Sequence, residues 1–532
     1  MLKQYISNTK ISQQITTLLV IVVVAVIGTI LLTGSHAESP YVSSTADNGT
    51  AANGAVKQTC TGASDGNCVV FGSSSGSSGS SVTGGGSVGS GTASCTSTLN
   101  PSDGVDSSNT TTGVDSQGSS ILDTTIASAS SGAVICLNTG SYPSFFIRNS
   151  IARTSYVTIQ AAPGAKPVLA HQSRVANGSY LRFQGLAITA ELDISDGATG
   201  PASHNIEFLN NDISGSSGPR IVGYGGNSIN NLTFQGNYIH DIDAVGACAS
   251  GGSASTSGQG ITLADADNVL IQDNALKSIG WHFIQGGGGT IGVTVQNNLF
   301  TGPQPVDDQP CAHINVWQIF AGGNNDTFSN NVIVGSTTQN TTPVSSNALM
   351  FENGAAGSVC TTTMTNTAVS NNLFADENGS FEFQLMTTTN LSVTNNTVVG
   401  SAYGTLTARS DICGKSTNVT ETNNIVTDNT NGSFNLGFGG CVASASAATK
   451  TFPAQCLTDY NVSQDKSAGT LPGTSHYVAS WTPKWSTTAW SPTCSITLPQ
   501  AVICSAIPPG YYQPATGSDI PFSVGYQGSI GP

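Results

Sequence analysis

The sequence predicts an all-β chain: a right-handed parallel β-helix with three strands per coil, about ten coils, and a short N-terminal capping helix. Three observations predict it. An Asn-rich pair recurs in F-L-N-N-D-I (208–213), F-Q-G-N-Y-I (234–239), I-Q-D-N-A-L (271–276), V-Q-N-N-L-F (295–300), F-S-N-N-V-I (328–333), V-S-N-N-L-F (369–374), V-T-N-N-T-V (393–398) and E-T-N-N-I-V (421–426). The second Asn of each pair is spaced from the next by 26, 37, 24, 33, 41, 24 and 28 residues, so the shortest unit is 24 and the longer ones carry insertions. Apolar residues alternate at period two before each pair, as with Leu391 and Val393 or Val293 and Val295. That is the period of short strands, not of helices.

Each part of the coil follows from these strings. Asn tolerates left-handed backbone angles and is poor inside strands, so the pair marks a sharp bend between two strands. Coils stacked at about 4.8 Å bring these side chains over one another, where they can hydrogen-bond as a ladder. A third strand closes the coil: I-T-L (261–263), W-Q-I (317–319), L-M-F (349–351), F-E-F-Q-L (381–385), T-L-T (405–407) and F-N-L-G-F (434–438). Residues 119–129 read as a short helix with Ile121, Leu122 and Ile126 on one face, covering the open end of the core. First coils appear at Y-V-T-I-Q-A-A-P-G (156–164) and Y-L-R-F-Q-G-L-A-I (180–188).

The organisation is an apolar export segment, signal peptide or membrane anchor, over 1–37 and a short Cys-containing segment over 38–72. A Gly/Ser linker over 73–93, the β-helix over 94–456 and a C-terminal extension over 457–532 follow. The apolar run is 15–32, behind Lys3 and Lys10, and a small-x-small site ends at Ala37. Cleavage and retention both stay open, since the run is near the lower length of a membrane span. Either places the rest outside the cytosol or at the cell surface, with the membrane met only through this segment, and a monomer is expected. The twelve Cys residues fit disulfides in that compartment. Cys60 and Cys68 can close a short loop, Cys95 and Cys136 bracket the start of the β-helix, and Cys494 and Cys504 can staple the tail. The pairing is not deducible from spacing.

Charged residues are only 8% of the chain, and 15 Lys plus Arg face 30 Asp plus Glu for a net −15. That excludes the basic footprint of a nucleic-acid binder. An acidic partner would need a local basic patch or a bridging cation. The insertions fall at 243–258, 302–313 and 336–347, all between the second and closing strands. Three insertions at one corner build a wall beside the closing sheet, a groove suited to an extended polysaccharide or cell-surface glycan.

Alternation then selects outward residues on the closing strands. Glu352 and Glu382 are candidate catalytic carboxylates on successive coils, with Arg409 beyond them. Stacked carboxylates repel, so one can be held protonated as a general acid, or the pair can share a Ca²⁺ ion. No cofactor is otherwise required. Gln318, Gln384, His282, His313 and Trp317 are candidate substrate contacts, the Trp as a sugar-stacking platform. Asp307 and Asp308 with His313 form a second cluster in an inserted loop.

The strings W-Q-I-F-A-G-G-N-N-D-T-F-S-N-N (317–331) and L-M-F-E-N-G (349–354) resemble secreted β-helix repeat proteins of the pectate-lyase-like superfamily, over roughly residues 95–470. The resemblance implies action on polysaccharide, with lyase-type chemistry on a uronate-containing polymer, in which Arg409 takes part in proton abstraction. The alternative is a non-catalytic glycan-binding or adhesive surface protein. The N-T-D, G-H-G and R-I-K strings of polygalacturonases are missing. Where related proteins show H-x-D-x-x-Q, this chain reads H-I-N-V-W-Q (313–318), with Asn315 in the acid's place.

Overall fold

A computed structural model describes residues 94–104, 120–148, 151–195, 202–215, 218–222, 228–242, 258–287, 289–301, 315–320, 323–334, 364–375, 388–399 and 417–427, and further short strands outside these spans. At 350–352, 380–382, 384–385 and 403–405 the backbone alone is described. Two compact units are present, 1–91 and 92–532. In the first, Ala55–Thr59 pairs antiparallel with Asn67–Phe71.

The second unit is a three-strand-per-turn solenoid. Two sheets have 13 strands and a third has nine, and neighbours within each are strands about one coil apart in sequence, paired in parallel. We call sheet I the one whose strands precede the Asn pair, sheet II the one that follows it, and sheet III the closing sheet. One coil shows the pattern: Ala266–Gln272 in sheet I, the bend at Asp273 and Asn274, Ala275–Ile279 in sheet II, and Ile284–Gly287 in sheet III. The chain is a right-handed parallel β-helix, and its core is the interior of the coil. Stacked rings run along it: Phe183, Phe208 and Phe234 at 5.4 and 4.9 Å, then Phe300, Phe328 and Phe374 at 6.1 and 6.4 Å.

The two members of the Asn pair have separate jobs. The first member holds a positive φ: 54° at Asn210, 55° at Asp273, 56° at Asn297 and 64° at Gly236. That is the left-handed region that Asn, Asp and Gly enter at low cost, so this residue turns the corner. The second member is buried. Asn211, Asn237, Asn274, Asn298, Asn331 and Asn372 are 0% exposed and Asn396 and Asn424 are 1% exposed. Each from Asn211 to Asn396 uses its own backbone N–H and Nδ2 to donate to Oδ1 of the next Asn, at 2.9 and 3.0 Å from Asn298 to Asn331. Nδ2 also donates to a carbonyl one coil back, as from Asn298 to Ile271 O at 2.9 Å. Every side-chain polar atom of this buried column is thereby satisfied, which burial demands.

A second left-handed column lies five residues before the bend, at the entry to sheet I. It contains Tyr180, Asn205, Asn231, Asn268, Gly292, Asn325, Asn366, Asn390 and Asn418, all with φ between 51° and 70°. Exposed amides bridge its coils, at 2.7 Å from Asn390 to Asn366 and 2.9 Å from Asn418 to Asn390. Sheet I strands are thus pinned at both ends.

Helix α1 (Ile121–Ser128) caps the N-terminal end, with Ser120 and Asp123 forming a capping box. Leu122 and Ile126 enter the core at 1% exposure, but Ile121 is 60% exposed and leaves the expected face, because Asp123 takes the inward position beside Leu122 to bond Phe146 N–H at 2.8 Å. The buried Arg153 guanidinium donates to the carbonyls of Ile126, Ala127 and Ala129, satisfying the end of α1. Cys95 and Cys136 form a disulfide between the first two strands of sheet I. Cys494 and Cys504 face each other in an antiparallel register, and Cys60 lies outside the described residues.

Candidate functional site

The outer face of sheet III carries one continuous column. Register pairs Arg174 with Asp193, Asp193 with Arg220, then Thr262, Gln285, Gln318, Met350 and Gln384. The flanking inward residues are apolar: Val175, Ile194, Ile221, Leu263 and Ile319 are at most 1% exposed. Alternation within short strands therefore forces Arg174, Asp193, Arg220, Thr262, Gln285 and Gln318 outward, and Met350 and Gln384 continue the register by backbone. Seven coil spacings give it a length of about 34 Å.

Its N-terminal end is charged. Arg174 Nη2 donates to Asp193 Oδ2 at 2.9 Å, and Arg220 Nη1 stands 3.8 Å from Asp193 Oδ1. Asp193 is 2% exposed, whereas Arg174 and Arg220 are 34% and 26% exposed. One buried carboxylate is shared by two guanidiniums that still reach solvent, so the patch has a net positive charge on a chain of net −15. Guanidinium forks match carboxylates geometrically, as the Arg174–Asp193 pair shows. Sequence reasoning missed these residues. Their signal is a charged side chain set between apolar neighbours in S-R-V-A, L-D-I-S and R-I-V.

The sequence-predicted residues fare differently. Gln318 and Gln384 each stand in register with Met350 between them. Gln318 and His282 are each 1% exposed, however, so neither meets solvent. His282 is engaged by the fold: its Nδ1 accepts from Asn315 N–H at 3.3 Å, and its Nε2 accepts from Trp281 Nε1. Trp317 is 1% exposed and stacks on Phe328 at 5.8 Å. It occupies the inward phase of its strand with Ile319, so it is a core residue and not a stacking platform. Asn315 is itself buried at 0%.

Glu352 ends the strand Asn347–Glu352, in register with Phe320. Glu382 lies in Ser380–Glu382, which pairs with Tyr403–Thr405 in a separate two-stranded sheet. Gln384 is the residue level with Met350 and Leu385 the one level with Phe351, so Glu382 is not the register partner of Glu352. The expected stacking of Glu352 over Glu382 has no register pair behind it, and the two side chains lie outside the described residues. Among the described residues no group of three or more His, Cys, Asp and Glu is placed to hold a metal. Arg409, His313, Asp307 and Asp308 lie outside the described residues, as does the apolar run 15–32. No helix among the described residues is long and apolar enough to cross a membrane.

Other faces carry ion pairs too. On sheet II, His240 bridges Asp212 and Asp241, each at 2.7 Å. Burial lowers the His240 pKa, but the two carboxylates outweigh it and hold it above the usual histidine value.

The fold and its outward charged column define a class of protein, the parallel β-helices. In structure the chain is similar to a GH136 lacto-N-biosidase from Eubacterium ramulus, with TM-score 0.36 and 11% identity over 72% of this chain and 68% of that one. It is also similar to the PL6 family alginate lyase AlyGC, with TM-score 0.40 and 12% identity over 77% and 58%, and to pectate lyase Pel9A, with TM-score 0.30 and 13% identity over 71% and 82%. No protein-family model and no curated protein matches the sequence. The fold assignment rests on the three parallel sheets of the chain itself.

Proposed function

We propose that this is an exported, carbohydrate-active β-helix that holds an extended uronate-containing polysaccharide along the outer face of sheet III and cleaves it by lyase chemistry. The observation that carries the reading is the Arg174–Asp193–Arg220 ladder, a local positive patch on an acidic protein, at one end of a polar column. Four coil spacings, about 19 Å, separate Arg220 from the strand that ends at Glu352, so a ligand engaging both must span several sugars. In this reading the arginines anchor uronate carboxylates away from the reacting bond, holding ground state and transition state alike. Glu352 removes the proton α to a uronate carboxylate, Arg409 neutralises that carboxylate, and the bond to the glycosidic oxygen breaks as a double bond forms in the ring, the departing oxygen taking a proton from water. Glu382, out of register, is left out of this role, and no step is assigned to a cation.

The test uses the purified full chain on alginate, polygalacturonate and a neutral glucan, with Ca²⁺ or with chelator, reading the ultraviolet absorbance of unsaturated product. Product is expected from an acidic polymer only. Arg174→Ala with Arg220→Ala should raise KM about tenfold while kcat holds, and Glu352→Gln should lower kcat by at least about a hundredfold. No product from any polymer sinks the lyase reading. A second reading, a non-catalytic glycan-binding or adhesive surface protein, is favoured by one feature: Asp193, the carboxylate of the described column, is locked between two arginines and is not available as a base. Acidic-polymer binding that needs Arg174 and Arg220 without turnover would establish it.

A further inference from the structure

On the same N-terminal coils, around the corner from the arginine ladder, sheet I presents a different surface. The left-handed column at its entry begins at Tyr180, which holds φ 51°, and is Asn or Gly at each later described coil. A bulky side chain in that region is an outlier, with a backbone strain of about 1 kcal/mol that Asn or Gly would relieve. The ring is half-buried and lies between partners from the adjoining coils. Tyr156 meets it edge-on at 5.5 Å and His204 at 5.7 Å.

A charged pair borders these rings. Arg182 lies 4.8 Å over the Tyr156 ring and donates through Nε to Glu207 Oε2 at 2.6 Å. Arg182 and Glu207 remain 31% and 16% exposed. Rings next to a donor-rich guanidinium and an acceptor carboxylate offer an apolar face and polar edges together. A pyranose ring has that same division, with C–H faces and hydroxyl edges.

We propose that Tyr156, Tyr180, His204 and the Arg182–Glu207 pair form a second glycan-binding site, taking a pyranose unit against the Tyr180 ring with its hydroxyls on Arg182 and Glu207. The site is separate from the sheet III column and requires no chemistry there. The strain at Tyr180 is retained for the ligand, since the fold is better served by Asn at that position.

Tyr180→Asn tests this, because it installs the residue that the column uses elsewhere. Binding of a neutral gluco-oligosaccharide and of an oligogalacturonate is measured by calorimetry on wild type, on Tyr180→Asn and on the Arg174→Ala/Arg220→Ala protein, with Tm alongside. The expected result is about tenfold weaker binding of at least one of these glycans in Tyr180→Asn, with Tm held within about 2 °C and that affinity intact in the double arginine variant. Tyr180→Phe should retain most of the affinity. Unchanged affinity in Tyr180→Asn, affinity lost only together with Tm, or no wild-type binding to either glycan overturns the proposal. The double arginine variant keeps this outcome distinct from failure of the sheet III reading.

Discussion

Replacing Asn298 by Ala should remove roughly 3–5 kcal/mol from the stability of the β-helix, among the largest single-residue effects available to this chain. Asn298 is 0% exposed and holds three coils together. Its Oδ1 accepts from the backbone N–H and Nδ2 of Asn274, both at 3.0 Å. Its Nδ2 donates to Ile271 O, Gln296 O and Asn331 Oδ1. Alanine leaves the Asn274 donors and the Ile271 carbonyl without a side-chain partner in a dry interior, where each orphaned group costs about 1–3 kcal/mol. Asn297→Gly is the control, since that residue makes the turn at φ 56° and Gly enters this region freely. It should change stability by a few tenths of a kcal/mol. Chemical denaturation followed by circular dichroism reads both. A loss at Asn298 below about 1 kcal/mol would mean the ladder does not carry the fold.

Asp326→Asn should stabilise the protein at pH 8 and leave it nearly unchanged at pH 4. The inward column of sheet I at this level reads Leu232, Val269, Val293, Asp326, Thr367 and Leu391, so a carboxyl sits in a file of aliphatic side chains at 0% exposure. Burial pushes its pKa up to about 7, against the Val293 and Gly292 amides that favour the anion. Oδ1 accepts from Val293 N–H at 2.9 Å, while Oδ2 has no hydrogen bond. Between the unfolded pKa near 3.9 and the folded value of about 7, the native state holds a proton that the unfolded state has released. Stability therefore falls as pH rises across that window, by roughly 4 kcal/mol in all, and is flat above it. Asn keeps the acceptor for Val293 and cannot ionise. Melting temperatures of both proteins from pH 4 to pH 8 check this, and parallel curves would show that Asp326 is not the titrating group.

Local rules carried the fold, and pairing across coils hid the site. The Asn pair marks the corner because backbone angle and side-chain burial are written into two adjacent positions. The second left-handed column is hidden because its Asn can stand alone inside a strand, as Asn390 does in T-T-N-L-S-V-T (388–394), where Leu391 and Val393 keep the alternation. Trp317 was misplaced for a related reason: period two gives two phases, and the phase is fixed only by the register with Leu349 and Ile284. Arg174, Asp193 and Arg220 are 19 and 27 residues apart, and the unequal loops between them conceal that all three stand level. Glu352 and Glu382 looked aligned by length, but Gln384 takes the paired position.

The buried Asn ladder also has a direction. From Asn211 through Asn237, Asn274, Asn298, Asn331, Asn372 and Asn396 to Asn424, every amide-to-amide bond runs from the Nδ2 of one Asn to the Oδ1 of the Asn one coil nearer the C-terminus, and none runs back. Aligned amide dipoles polarise one another, so the series acts as a molecular wire of one polarity lying inside the protein wall. Growth by duplication is then quantised: a copied unit from one Asn to the next arrives with an acceptor at its head and donors at its tail and continues the series, while a fragment of a coil breaks it. The solenoid can lengthen only in whole turns that all face the same way.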